Sequence, residues 1–429
     1  MTDDDVPPEL LQMVRDVIRR RHARMEGIDT RSRVRARVEE LNEEQNSVSD
    51  DDDVFEDAFD GRGDSLLEGV DLHFEWSPMQ TFRSVEESFV PEHTGSVESH
   101  LNPYNAFRSF WDDSILQVIV DDTNRNASRI QSATFQAGWH PTNIHELLCL
   151  FAFWMMTGVI RMPTIRRYFS SNSLLRTEAF SRITTPKRYD SLNRALHFVD
   201  TSPELSDPTN SGVAISDPMY SLRPIIDHLY NKFQSYYVLS KDICIDESLT
   251  LWIARLKFKQ YIRSKAAKFG IKTFELCESS TVYLWSFLVY TGKLDAVQGG
   301  ITKSTAIVLK LIRPLLNKGY RLFMDNWFNS PLLARICKRN GTDCVGTLLS
   351  SRVDVPRLVT HAPLKQGQLV ARHSGDVYVL SWLDKKRVNM ILTCHGSVPT
   401  CLALVSQLVP SNSSHSRSLT IIAAWAALI

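Results

Sequence analysis

Two aspartates sit where chemistry could begin. Asp246 closes the apolar run Ile243-Cys244-Ile245, and Asp325 closes the run 320–324. A carboxylate at the end of a buried strand costs free energy unless it is paired or holds a metal. Two of them on neighbouring strands would offer hard oxygen donors suited to Mg²⁺ or Mn²⁺. A pair of such ions roughly 4 Å apart can activate one oxygen and stabilise another during phosphodiester cleavage. An aspartate in this place is more often a turn or cap residue, so both readings stand. Between the two lies a basic stretch: Arg255, Lys257, Lys259, Arg263, Lys265, Lys268 and Lys272, with no acidic residue from 255 to 272. Arg255, Lys257 and Lys259 alternate, so a strand would put them on one face, and Tyr261 and Phe269 interleave with the charges. A solvated edge strand guarded by lysine is the plain alternative. Seven like charges repel one another without a polyanion, which favours contact with a phosphate backbone.

The elements that must position these residues can be read from periodicity. Short β-rich runs at 243–245, 249–252, 271–274 and 283–290 are followed by a helix at 304–316, a strand at 321–324 and a helix at 331–340. Strands first, then alternating helix and strand, predict a mixed sheet covered by helices. Three further strands, 368–371, 377–382 and 388–393, form a small β unit. Upstream, Thr142 precedes Asn143-Ile144-His145-Glu146 in a capping pattern, and the helix that follows is apolar nearly all round, which predicts burial. Helices at 164–169, 187–198 and 222–233 complete a helical region over 101–240, interrupted by the Pro/Ser/Asp-rich loop 201–218.

Net charge is zero but unevenly spread: residues 1–100 carry 26 acidic and 11 basic side chains, and residues 101–429 carry 23 and 38. The body therefore expects an anionic partner. The first hundred residues, with Asp50-Asp51-Asp52-Asp53, read as an acidic, largely disordered tail. One short helix at 8–24 brings Arg19, Arg20, Arg21 and Arg24 together, as a solvated face or as a localisation or DNA-contact patch. Seven scattered cysteines predict reduced thiols, with no disulfide framework or zinc site. Neither a secretory signal nor a membrane span is expected. Cys149, His197 and His228 read as packing or surface residues, and Gly299-Gly300 as a turn.

These residues carry a family resemblance. Ile243-Cys244-Ile245-Asp246-Glu247-Ser248 resembles the first acidic motif of piggyBac-type transposases. Lys259-Gln260-Tyr261-Ile262, Lys265, Lys268-Phe269-Gly270-Ile271-Lys272, Cys277-Glu278-Ser279 and Val289-Tyr290-Thr291-Gly292-Lys293 are similar to the segments after it. Phe323-Met324-Asp325-Asn326-Trp327-Phe328-Asn329-Ser330 resembles the second acidic motif, continued by Val345-Gly346-Thr347 and Ser351-Arg352. Gly158–Pro163 and Leu196-His197-Phe198 are similar to the helical domain.

The resemblance covers residues 101–396 and implies an α/β fold: a ribonuclease H-like mixed sheet core, an N-terminal helical domain and a small β insertion. It divides the chain into the tail 1–100, a helical dimerisation and DNA-binding domain 101–240, an incomplete catalytic core 241–350, a β insertion 351–396 and a divergent tail 397–429. It also implies Asp246 and Asp325 as catalytic metal ligands for Mg²⁺ or Mn²⁺, double-stranded DNA at transposon ends and TTAA targets as partner, a homodimer, and a nuclear location. The family's third aspartate, in a Val-Asp motif opening a helix, has no counterpart here. Residues 385–429 hold no acidic side chain, and only Asp343, Asp354, Asp376 and Asp384 follow Asp325. Three readings follow: a truncated transposase relic, a domesticated DNA-binding protein that does not cut, or a working nuclease in which Asp384 or Asp376 supplies the third ligand.

Overall fold

The computed structural model describes residues 66, 69–83, 85–99, 102–172, 176–200, 217–252, 256, 258–262, 268–292, 301–383 and 385–394. The chain divides into two compact units, a smaller one holding 149–185 and a larger one holding 52–148 and 186–426.

In the larger unit, ten strands among the described residues join one sheet. In chain order the strands are β1 (Ser77–Pro78), β2 (Gly95–Ser96), β3 (Tyr237–Val238), β4 (Asp242–Leu251), β5 (Gln260–Tyr261), β6 (Phe269–Glu278), β7 (Leu284–Val289), β8 (Arg321–Met324), β9 (Asp343–Thr347), β10 (Leu369–Ser374), β11 (Val377–Leu383) and β12 (Arg387–Leu392). The sheet runs β1-β10-β11-β12-β9-β8-β4-β6-β5, with β7 also on β6, while β2 and β3 pair separately. β4, β6 and β7 are antiparallel neighbours, and β8 and β9 run parallel to β4. This is the mixed sheet the sequence predicts, and the antiparallel β10–β12 extend it from β9 as the expected small β unit.

Alternation along β4 decides which side is buried. Ile243 and Ile245 enter the main core with Phe274, Leu276, Leu322 and Met324, covered by the helices Lys303–Ile312 and Pro331–Arg339. On the opposite face Phe323, Val345, Tyr378, Leu380 and Met390 form a second cluster with Phe82, and Cys244 packs at its edge. The expected runs 243–245 and 249–252 are one continuous strand. Glu247 and Ser248 keep the ladder with Phe274 and Thr273 of β6, so polar residues do not break it. Asp246 therefore lies mid-strand, not at a strand end.

The helices Pro103–Phe110, Asp113–Arg129, Pro186–Ala195 and Arg223–Ser235 lie in the chain between β2 and β3. Asp112 caps the second by accepting from the Ser114 and Ile115 amides, and pairs with Lys232 at 2.7 Å. The switch from helix to strand falls between Ser235 and Tyr237.

Residues 69–83 and 85–99 depart from the expected tail, because they lie against the sheet core. Their acidic groups have partners there: Glu86 with Lys241 (2.6 Å) and Glu87 with Lys338 (2.8 Å). The Trp76 indole donates to the Asp354 carbonyl, and the Val90 amide to that of Lys318. Gly319, at φ +74°, lets this strap approach, since a Cβ there would stand 1.9 Å from the Ser88 carbonyl oxygen. The helix expected at 8–24, with Arg19, Arg20, Arg21 and Arg24, lies outside the described residues.

In the smaller unit, Phe153 meets Phe180 edge-on at 5.0 Å and Phe169 face-on at 5.4 Å, and Tyr168 closes the cluster. The helix Ile144–Val159, expected to be buried all round, buries only the stripe Leu147, Leu150, Phe151 and Phe153. Met155 and Val159 are exposed on its other side. Overall hydrophobicity overstated its burial. Spacing identifies the packed stripe. Among the described residues no helix is long and apolar enough to cross a membrane.

Candidate functional site

Parallel pairing fixes the two aspartates side by side. Ile245 is in register with Met324, so the next step along β4 and β8 sets Asp246 beside Asp325. Adjacent strands lie about 4.8 Å apart, so residues in register are neighbours across the gap. β8 ends at Met324, and Asp325 turns the chain: its Oδ1 accepts from the Trp327 amide at 3.0 Å. The rest of the motif holds that turn. Phe328 is buried, Asn329 donates to the carbonyls of Met324, Asp325 and Thr347, and Ser330 caps the helix Pro331–Arg339 by accepting from the Leu333 amide.

The electrostatics match this crowding. Asp325 opens to solvent on one side, yet the protein around it pushes its pKa up to about 6, with Glu247 and then Asp246 adding like charge. Across β4, Glu275 of β6 stands directly opposite Asp246. Glu275 is buried and pushed up to about 7, chiefly by burial, with the Thr273 hydroxyl opposing the rise and Asp246 adding to it. Glu275, Asp246 and Asp325 thus succeed one another across three adjacent strands. Cys244 and Cys277 form the next opposed pair along this face, and burial with Asp246 nearby pushes the Cys244 thiol up to about 11.

Glu275 is the residue that sequence reading missed. Its signal was available only through pairing, because the β4–β6 register places it opposite Asp246. The other candidates fare differently. Asp376 occupies the β10–β11 turn, with three strands between β11 and β4, and its carboxylate faces Arg335 at 3.8 Å. It does not join the pair. Asp384 lies outside the described residues, as do Arg255, Lys257, Arg263 and Lys265.

Of the remaining basic residues, Lys259 precedes β5, Lys268 is exposed beside β6, and Lys272 lies within β6. The Lys272 ammonium sits 4.8 Å from the Phe274 ring centre and 5.0 Å from that of Trp327, rings stacked on each other at 5.6 Å. Lys272 shares the main-core face of β6 with Phe274, opposite to the face that carries Glu275 and Asp246, and the alternating one-face strand expected for Arg255, Lys257 and Lys259 does not include Lys259. A basic surface not singled out in the sequence lies in the smaller unit, where Arg161, Arg166 and Arg167 are all exposed. His228 is structural: its Nε2 lies 2.8 Å from the Phe110 carbonyl.

The donors present suit a hard divalent cation, being carboxylates. Their number falls short of a full metal centre: among the described residues no group of three or more His, Cys, Asp or Glu side chains could hold a metal ion.

A sheet ordered β7-β6-β4-β8-β9, with its acidic pair at the β4/β8 gap, can now be set beside known proteins. The family model described as Transposase IS4 matches residues 102–420. The chain belongs to the piggyBac-type transposase family. The human PiggyBac transposable element-derived protein 2 is 24% identical over 314 residues, covering 70% of this chain and 50% of that protein. The human PiggyBac transposable element-derived protein 3 is 22% identical over 310 residues, covering 70% and 49%. The chain thus spans about half the length of these curated relatives. A cryo-EM structure of a piggyBac transposase synaptic complex with hairpin DNA superposes with a TM-score of 0.61 at 24% identity, covering 71% of this chain and 64% of that one. That likeness carries the fold, a ribonuclease H-like sheet. The family match runs past Gly396, where the motif resemblance ends.

Proposed function

We propose that this chain is a piggyBac-derived DNA-binding protein whose acidic site takes up a divalent cation without completing strand cleavage or transfer. The observation that carries this reading is the pair Asp246 and Asp325, set side by side by the register of β4 and β8, while Glu275 opposite Asp246 is buried with its pKa raised to about 7. Two-ion chemistry needs ligands that fix both ions across the reacting phosphate, and an error of about 1 Å can cost 10²-fold in rate. Asp246 and Asp325 would hold Mg²⁺ or Mn²⁺, with Glu247 and Glu275 adding negative potential.

DNA as the ligand is supported by the excess of basic side chains in residues 101–429, by Lys259 and Lys268 near β5 and β6, and by the solved relative's complex with hairpin DNA. The smaller unit's Arg161, Arg166 and Arg167 add a second basic surface. Double-stranded DNA, TTAA targets, a homodimer and a nuclear site of action follow from the family and belong to this proposal.

The test uses purified full chain, Mg²⁺ or Mn²⁺, and duplex DNA carrying transposon ends beside TTAA. The expected result is binding without nicking, and a Mg²⁺-dependent rise in melting temperature that Asp325→Asn abolishes. Nicking or strand transfer removed by Asp325→Asn would overturn the reading, and Glu275 would be the next residue to replace.

A further inference from the structure

The far end of the β4–β6 ladder exposes two aromatic side chains, Tyr261 (58% exposed) and Phe269 (47%). Tyr261 and Phe269 are paired in register across β5 and β6, with ring centres 4.8 Å apart and planes tilted by 48°. The Lys259 ammonium lies 5.2 Å from the Phe269 ring centre, and exposed Lys268 immediately precedes Phe269. A cross-strand aromatic pair stabilises a sheet edge by up to about 1 kcal/mol, which accounts for the two rings meeting each other. It does not account for about half of each ring being left exposed beside cations. Apolar surface of this kind is normally withdrawn, because burying one such side chain is worth roughly 1.5–3 kcal/mol.

We infer that this patch is a stacking platform for unpaired bases of DNA. The ligand is identified by complementarity of two kinds. Flat ring faces match the π-faces of nucleobases, and the ammonium groups beside them match the phosphates that link one base to the next. A closed duplex presents only base edges and backbone to a protein surface, so it leaves the rings uncovered. A strand with splayed bases covers them. The assignment rests on the DNA-binding reading above and adds to it which state of DNA this surface prefers.

The test measures binding of the full chain to a single-stranded oligonucleotide of about 16 bases, within the site sizes common for such surfaces, and to a blunt duplex of the same sequence. Tyr261→Ala with Phe269→Ala should weaken single-strand binding on the order of ten-fold or more, as expected for losing base–aromatic stacks. Duplex binding and both salt slopes should stay unchanged. The exchange Tyr261→Phe with Phe269→Tyr keeps both rings and should restore single-strand affinity, separating stacking from damage to the edge. An equal loss on both DNAs, or no loss on the single strand, overturns the platform while leaving DNA binding intact. Failure of the unaltered chain to bind either DNA overturns both.

Discussion

Replacing Glu275 with Gln isolates the cost of holding a charge opposite Asp246. Burial lifts Glu275 from its ordinary 4.5 to about 7, with the Thr273 hydroxyl bond opposing the rise and Asp246 adding to it. A carboxyl whose pKa is raised by folding binds its proton more tightly in the folded state. Its stability contribution is therefore full below about pH 4.5, falls as pH climbs to about 7, and is flat above. At about 1.4 kcal/mol for each tenfold change in proton affinity, the penalty at neutral to alkaline pH is on the order of 3 kcal/mol. Gln keeps an oxygen for the Thr273 hydroxyl and carries no charge. The assay is urea unfolding of both proteins across the acid-to-neutral range, followed by tryptophan fluorescence. Subtracting the two curves cancels groups such as Glu146 and Glu278, whose lowered pKa values act in the opposite direction. The difference should be smallest in acid, grow between about pH 4.5 and 7 in favour of the variant, and then level off. Mg²⁺ should shrink it, because a cation beside Asp246 relieves the same repulsion. A difference that does not change through that window, or a variant less stable at alkaline pH, would refute the reasoning.

Three further outcomes follow from the same structure. Lys338→Met should cost about 3–5 kcal/mol in urea unfolding, because Asp343 would keep its buried charge with the 2.8 Å partner removed. Gly346→Ala should destabilise by about 1–3 kcal/mol or more, since the new Cβ would stand 1.9 Å from the Met324 carbonyl oxygen beside the acidic pair. Lys259→Gln with Lys268→Gln should flatten the salt dependence of duplex binding by nearly one slope unit for each phosphate left without its lysine, and an unchanged slope in filter binding would remove these lysines from the interface.

Most of the fold was legible because period and punctuation agree in the sheet core. The run 321–324 is bounded by a glycine–tyrosine entry and the Asp325 turn, and its strand has the expected limits. Pro331 and Ser330 mark the start of the following helix by physics that needs no partner: a fixed φ at the first turn and a hydroxyl for an open amide. The strap at 69–99 was not legible. Its composition is acidic and poor in aliphatic residues, and nothing local reveals that Lys241, Arg321 and Lys338 wait across the fold to pair with Glu86 and Glu87. Like charge argues for an extended chain only while the opposite charge is out of reach.

The site divides along the same line. Asp246 and Asp325 could be picked out because each follows an apolar run, although for Asp246 the inferred reason was wrong. The strand does not end there, and the aspartate escapes the core by pointing to the other face from Ile243 and Ile245. Its place beside Asp325 comes from the parallel register of β4 and β8, and its place opposite Glu275 from the antiparallel register of β4 and β6. No window of sequence contains either fact, since the two aspartates lie 79 positions apart. A one-residue slip in either ladder would send one carboxylate to the opposite face and dissolve the cluster. The register is held by Ile243, Ile245, Leu276 and Met324, which must all stay in the main core. The acidic site is therefore specified by its apolar neighbours, and mutations that loosen those four residues should scatter the carboxylates before any acid is changed.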